Sequence, residues 1–361
     1  LRFLAAGHQV DVALSARVTQ TNAFHAARFS VTFAPPIYNN QPVSGAGSFT
    51  WWSQQKDLLG KVQLGLVPDD GTENDVVWTT MLTGEVDTIT AHPTNWLVHI
   101  EGRDLTRRFI DNKTEEAYVN QTSSQIVSLL AAKEGLSVQA TPTTTPVGRY
   151  YQIDHDRISL DQFHRSLTEW DLITMLARYE GFDAYVDGTT LYFQKATPPS
   201  ADPWVARWQI DENGIQSSNL LDLQMERALT IAKGIQVVVK SWHGKRARAF
   251  VRGAPASTEI RSPSQSNTQQ YIIVRPNLTE DQAQQLANQV YSDLSRHEKV
   301  ITGQACGDML LTPRVVIRLT GTGTDWDQVY YPVEITRHID DHGFLMDFRA
   351  HILPPAAESV L

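Results

Sequence analysis

The stretch Thr168–Phe193, TEWDLITMLARYEGFDAYVDGTTLYF, changes period part-way along, and that change decides the fold class. Leu172 and Leu176 recur at helical spacing up to Gly181; Phe182, Ala184 and Val186 then alternate into Asp187-Gly188, and Leu191 and Phe193 continue on a return run. The pattern predicts a helix stopped by a left-handed glycine, then a β-hairpin with a type I′ turn. Glu169 and Asp171, either side of Trp170, invite a catalytic reading. At N1 and N3 of a helix capped by Thr168 they equally serve as a helix start, where each carboxylate stabilises by ~0.3 to 1 kcal/mol.

A second copy of this unit lies upstream. Gln121 to Leu136, QTSSQIVSLLAAKEGL, has Thr122 at the N-cap, Gln125 at N3 and Gly135 as the stop. With Thr168 set on Thr122, fifteen residues align without a gap: Asp171 falls on Gln125, Leu176 on Leu130, Gly181 on Gly135 and Phe182 on Leu136. The pair favours scaffolding, with Trp170 a packing residue.

Outward from this region the period is two. HQVDVALSARV, FHAARFSVTF, KVQLGLV, DVVWTTMLTGEVDTI and NWLVHIEG read as strands, with turn signals at Pro35-Pro36, Gly45 to Gly47, Asp70-Gly71 and His92-Pro93. Beyond the linker-like ATPPSADP (196–203), strand signals resume in ALTIAKGIQVVVKSW, RARAFVRG, QYIIVRP, RVVIRLTG, VYYPVEITRHI and FLMDFRAHIL. One helix interrupts them at about 279–299, capped by Thr279, with Ala283, Leu286, Ala287, Val290, Tyr291 and Leu294 on one face to lie across a sheet. Ser262 to Gln270 reads as a polar loop. The expectation is an α+β, mostly β chain: a β-barrel or sandwich at 1–103, an α/β domain of two capped helices and a hairpin at 104–203, and a second barrel with one packed helix at 204–361.

At 361 residues the chain has room for two or three domains, and its 41% hydrophobic and 20% charged content suits a globular core. The net charge of −9 argues against coating nucleic acid non-specifically. No apolar run reaches a membrane span and LRFLAAG is too short for a signal peptide, so neither Sec export nor a membrane anchor is expected. Because the chain begins at Leu1, the native start is expected to precede it. The lone Cys306 precludes an intrachain disulfide, fits assembly in a reducing cytoplasm, and reads as a small buried filler.

Several clusters carry chemistry-bearing side chains. His338 to His342, HIDDH, has the residue types of a metal site, but between two strand patterns it reads more naturally as a hairpin connection. Asp154, His155 and Asp156 resemble an acid/base cluster with no nucleophile motif beside them. Gly321 to Thr324 follows a strand but lacks the third glycine of a dinucleotide loop. Lys240 to Arg252, KSWHGKRARAFVR, interleaves Trp242 and Phe250 with basic residues; it reads as a basic strand pair, with a nucleic-acid groove as the alternative. No catalytic, cofactor-binding or metal residue is assigned.

The order of elements resembles the phage late control gene D family, the central baseplate hub proteins of contractile tails, related to the hub-like part of type VI secretion spike proteins. Three passages carry the resemblance: HIEGRDLTRRFIDNKTEEAYVNQTSSQIVSLLAAKEGL; the acid-Trp-Asp helix and Tyr-Val-Asp-Gly hairpin at 168–193; and LTEDQAQQLANQVYSDLSR through RVVIRLTGTGTDWDQVYYPVEITRHIDDHGFLMDF, with Tyr331, Val333, His338, Gly343 and Phe344 matching a family pattern. They span about residues 95 to 350, and the first hundred residues match by pattern alone.

The resemblance implies two tube-type barrels per chain and a homotrimer whose six barrels mimic a ring of the tail tube. That assembly adapts the tube to a threefold spike in a virion baseplate put together in the bacterial cytoplasm. Tail tube or distal tail proteins, a spike and the tape measure protein are the implied partners, and DNA only transits the lumen. Three chains would carry −27, a sign that repels phosphate if the acids face inward. With no lysozyme-like or needle segment in view, wall cutting and puncture are expected of partners. The competing readings are a wall- or polysaccharide-degrading tail enzyme using Asp154, Asp156, Glu169 or Asp171, and the hub part of a type VI spike.

Overall fold

A computed structural model describes residues 1–352 apart from 11–12, 23, 36, 39–40, 43–47, 67–75, 115, 117, 119, 145, 148–166, 196–201, 211, 244–247, 256–268, 276–277 and 279. The chain opens with β1 (Arg2–Ala5), β2 (His8–Val10), β3 (Ala13–Thr21) and β4 (Arg28–Phe33). Short β5 (Ile37–Tyr38) and β6 (Gln41–Pro42) pair with each other, and α1 (Phe49–Gln54) follows, capped by Ser48. Then come β7 (Leu59–Leu66), β8 (Val77–His92) and β9 (Leu97–Asp104). Their hydrogen-bonded order is β3–β4–β9–β8–β7–β1–β2. Alternation puts Phe29, Val31 and Phe33 of β4 inside, and the sheet curls until the rings of Phe3 on β1 and Phe29 lie 5.9 Å apart across the core. Trp52 of α1 packs on Phe33 at 4.9 Å.

The middle of the chain forms α2 (Thr106–Asp111), α3 (Ser123–Lys133), β10 (Ser137–Ala140), α4 (Glu169–Glu180), β11 (Phe182–Asp187) and β12 (Thr190–Lys195). The two helices are the repeated unit of the sequence. Both carry a complete capping box, and each is followed by a glycine at φ 71, Gly135 and Gly181. Their apolar faces pack with α2 against the sheet β10–β12–β11, around Phe109, Ile126, Ile173 and Phe193. The hairpin turn differs from expectation. Asp187 pairs with Thr190, so the loop residues are Gly188 and Thr189, and of these only Gly188 has positive φ. A type I′ turn needs positive φ at both; a single leading glycine belongs to type II′.

The last part forms β13 (Trp204–Ile210), β14 (Gln216–Ser218), β15 (Leu220–Arg227), α5 (Leu229–Ala232), β16 (Ile235–His243), β17 (Arg248–Ala254), β18 (Gln269–Val274), α6 (Glu280–Ser295), β19 (Lys299–Cys306), β20 (Ile317–Thr320), β21 (Val329–Asp340) and β22 (Gly343–Ile352). Leaving aside β16 to β18, its order is β15–β19–β22–β21–β20–β13–β14, the order of the first half strand for strand. One orientation differs: β13 runs parallel to β20, whereas β1 is antiparallel to β7. Asn219 links β15 to β13. Its backbone N–H donates to Arg207 O at 3.2 Å, its side chain accepts from Arg207 N at 2.8 Å, and its Nδ2 donates to Val205 O at 2.8 Å.

α6 does lie on a sheet, but on a separate three-stranded one, β17–β16–β18, inserted between β15 and β19. Ala283 and Ala287 pack there against Val237, Val239 and Ala254. The fold is thus α+β and mostly β, with large antiparallel sheets.

Candidate functional site

The two seven-strand halves meet through one strand pair, and its geometry begins with Pro332. Proline cannot donate to a ladder and sits at bulges; here the bulge falls between Pro332 and Glu334, where β21 bends. Before it, Val329 and Tyr330 pair with β20 of their own half. After it, Glu334 to Ile339 pair antiparallel with Ala16 to Thr21 of β3, while β22 keeps the opposite edge of β21. Thr19 and Thr336 share a hydrogen bond of 3.0 Å across this seam.

Arg337 anchors the seam. It lies on the inward side with Ile335, and is 1% exposed with no carboxylate bonded to it among the described residues. Its guanidinium donates to Asp308 O at 3.2 Å, Leu311 O at 2.5 Å and Gln20 Oε1 at 2.6 Å, and Gln20 in turn donates to Met81 O at 3.2 Å. Burial lowers its pKa and nearby Asp308 opposes that, but an arginine stays charged. A fork of donors reaching three acceptors is what a charged group needs to be tolerated in a core.

A second tie joins the α/β unit to the first half. Phe24, in the β3–β4 loop at φ 66, donates its N–H to Ala184 O at 3.1 Å and accepts from Trp170 Nε1 at 2.9 Å, while the Arg178 guanidinium lies 5.2 Å from its ring centre. Trp170 is therefore both a packing residue and a hydrogen-bonded link between units.

The two acids beside Trp170 do not share a site. Asp171 is exposed; its carboxylate accepts from Thr168 N at 3.1 Å and its own N–H donates to Thr168 Oγ1 at 3.1 Å. Glu169 is fully buried, bonded through Oε1 to Lys133 Nζ at 2.5 Å, with Oε2 unpartnered. Burial raises the Glu169 pKa and Lys133 pulls it back. Such an arrangement fixes a helix start and ties α4 to α3; it offers no pair of carboxylates across a cleft. A shallow groove beside α3, lined by Asn120, Gln121, Ser124, Gln125 and their neighbours, carries no titratable side chain.

No protein-family model matches the sequence, and no curated protein matches it. Solved structures do match. A tail protein from Neisseria meningitidis is similar at 14% identity and TM-score 0.66 over 97% of this chain and 95% of its own. The 43 kDa tail protein of prophage MuSo2 from Shewanella oneidensis is similar at 15% identity and TM-score 0.65, over 97% and 96%. This chain has the phage tail-protein fold. It extends to a type VI secretion component from Escherichia coli that resembles bacteriophage tail proteins, at 10% identity and TM-score 0.55 over 99% of this chain and 78% of that one.

Within this tail-protein fold the remaining described sequence candidates lie in turns and strand pairs. HIDDH spans the end of β21 and its turn: His338 is in the strand with Nε2 2.7 Å from Asp347 Oδ2, while Asp340, Asp341 and His342, all exposed before Gly343, bring their ligand atoms within 4.8 Å of one another. In the Gly321 to Thr324 turn the Asp327 carboxylate already accepts from Thr322 N at 3.0 Å and Gly323 N at 2.9 Å, donors a phosphate would need. Lys240 to Arg252 is the β16–β17 pair, with Arg252 ion-paired to Glu280 of α6. Cys306 is exposed, contrary to expectation, because Ile301, Gly303 and Ala305 take the inward positions of β19. Asp154, His155, Asp156, Lys245, Arg246, Thr279, 196–201 and the turns at 45–47 and 70–71 lie outside the described residues, as does most of Ser262 to Gln270, whose last two residues begin β18.

Sequence reasoning missed Arg337 and Phe24. Arg337 was findable, since period two places it in line with Ile335 and Ile339. Phe24 carries no local signal.

Proposed function

We propose that this chain is a structural component of a phage tail, the hub of its baseplate, without catalytic activity of its own. The observation that carries the proposal is the doubling of one seven-strand order within a chain whose fold matches tail proteins over nearly its whole length. A chain with two copies of one barrel presents six barrels as a trimer, the arrangement that converts a sixfold tube into a threefold spike. The units are 1–103, 104–203 and 204–361, with the first and last facing the ring and the α/β unit tied to the periphery through Phe24 and Trp170.

The partners are the tube or distal tail protein on one face, a spike on the other and the tape measure protein, in a tail assembled in the host cytoplasm. DNA passes through the lumen without a dedicated site. Among the described residues no helix is long and apolar enough to cross a membrane. The likeness to the type VI component supports a second reading, the hub part of a secretion spike.

Electron microscopy of the chain with a tube protein tests the proposal. Rings of six similar densities with threefold symmetry are expected, and their absence under all assembly conditions overturns it. A peptidoglycan zymogram is expected to stay blank; clearing lost on Asp171→Asn would replace the structural reading with an enzymatic one.

A further inference from the structure

The internal repeat leaves two strand edges uneven. In the strand order, β8 corresponds to β21 and β3 to β15. Both β8 and β21 pair with one strand before a bulge and carry on past it, the β8 bulge lying between Val86 and Thr88. Aligned on those bulges, Ile89-Thr90-Ala91-His92 falls on Ile335-Thr336-Arg337-His338 without a gap.

On β21 this segment is covered by β3, and Thr336 and Arg337 are buried. On β8 the matching edge, opposite β9, has no partner strand among the described residues, and Thr88, Thr90, Ala91 and His92 are exposed. The counterpart of β3 is equally bare: among the described residues β15 pairs only with β19, and with the bulges at Ala13/Ser15 and Leu220/Asp222 aligned, Met225, 40% exposed, falls on Val18, 0% exposed. One seam is thus made inside the chain, and its two halves recur unpaired.

We propose that β15 of one copy adds to the open edge of β8 in a second copy of this chain, repeating between chains the antiparallel pairing that β3 and β21 make within one. The register follows from the internal seam. Arg337 faces Val18 there, so Ala91 faces Met225; Thr336 faces Thr19, so Thr90 faces Glu226; and His338 faces Arg17, so His92 faces Gln224. Exposed edges of this kind are otherwise sites of uncontrolled pairing. The two edges are different surfaces, so each copy keeps one of each free, and the assembly grows head to tail until it closes. This deepens the hub reading and rests on it for closure at three copies.

Disulfide trapping tests the register. In a Cys306→Ser background, Ala91→Cys combined with Met225→Cys is oxidised and compared on a non-reducing gel with the mismatched pair Ala91→Cys and Leu221→Cys. Both variants are first shown by circular dichroism to melt like the parent. Chains covalently linked up to a trimer are expected for the first pair and monomer for the second. Oligomers by light scattering with no linkage, or equal linkage in both, overturn this seam while leaving the hub reading standing. Monomer at every concentration, alone and with a tube protein, overturns both.

Discussion

Asp171 and Trp170 differ by one position and carry different loads. Removing the Asp171 carboxylate leaves the Thr168 N–H without its cap partner, so Asp171→Ala is expected to cost about 1 kcal/mol in urea denaturation. Trp170→Phe keeps an aromatic ring but loses the indole N–H and orphans the Phe24 carbonyl; a loss of at least about 1 kcal/mol is expected, with faster amide exchange at Phe24. Arg337→Lys retains the charge and loses the fork, leaving acceptors among Gln20, Asp308 and Leu311 unmet. A loss of about 2 kcal/mol is expected in the same denaturation assay, although on a sequence alignment the change looks conservative.

At the scale of elements, two glycines make room for two core phenylalanines. Gly102 of β9 sits opposite Phe29, and a Cβ there would lie 2.3 Å from the Glu85 carbonyl oxygen and 2.5 Å from the Phe29 ring. Gly303 of β19 sits opposite Phe348, where a Cβ would lie 2.5 Å from the ring and 3.1 Å from Asp222 O. Each phenylalanine folds over a glycine on the next strand, a device that shields the glycine and lets the sheet curl. Gly102→Ala is expected to lower stability by about 1–3 kcal/mol, and Gly303→Ala by less, because the nearest backbone oxygen stands at 3.1 Å there instead of 2.3 Å; thermal melts rank the two. Elements of this kind were legible where a period is strong and local. The capped helices, their glycine stops and the alternation of β4 or β19 all read from neighbouring residues. The Gly188-Thr189 loop did not, since a one-residue register shift is set by cross-strand pairing. Nor did the insertion of β16 to β18, because an apolar helix face reports that a sheet lies beneath it, not which sheet. The acids at 169 and 171 mark a helix start in sequence and structure alike, but the full burial of Glu169 depends on α3, which only the folded chain brings near.

For the whole molecule, two buried groups set opposing responses to acid. Burial raises the pKa of Asp104 to about 6, despite N–H donors from Ala27 and Thr106 at 2.9 and 3.0 Å. Its contribution to stability is therefore largest in acid and is lost as pH rises through about 6. Burial and nearby Arg296 lower His351 to about 4, so its contribution is present above pH 6.5 and lost as pH falls through about 4. Each effect is about 3 kcal/mol and the windows overlap, so they largely cancel. Relative to the parent chain, Asp104→Asn is expected to lose stability more steeply between pH 6.5 and 4, and His351→Gln less steeply or with reversed slope, in urea titrations across that range. The seam between β3 and β21 bears on synthesis as well. Ala16 to Thr21 are made some three hundred residues before their partner at 334–339, a wait of roughly 15 to 60 s at ordinary elongation rates. Throughout that interval the nascent first half shows a bare edge. Chains truncated before Val329 are therefore expected to aggregate, while pulse-labelled chains become protease-resistant in the first half only once 334–339 have been made.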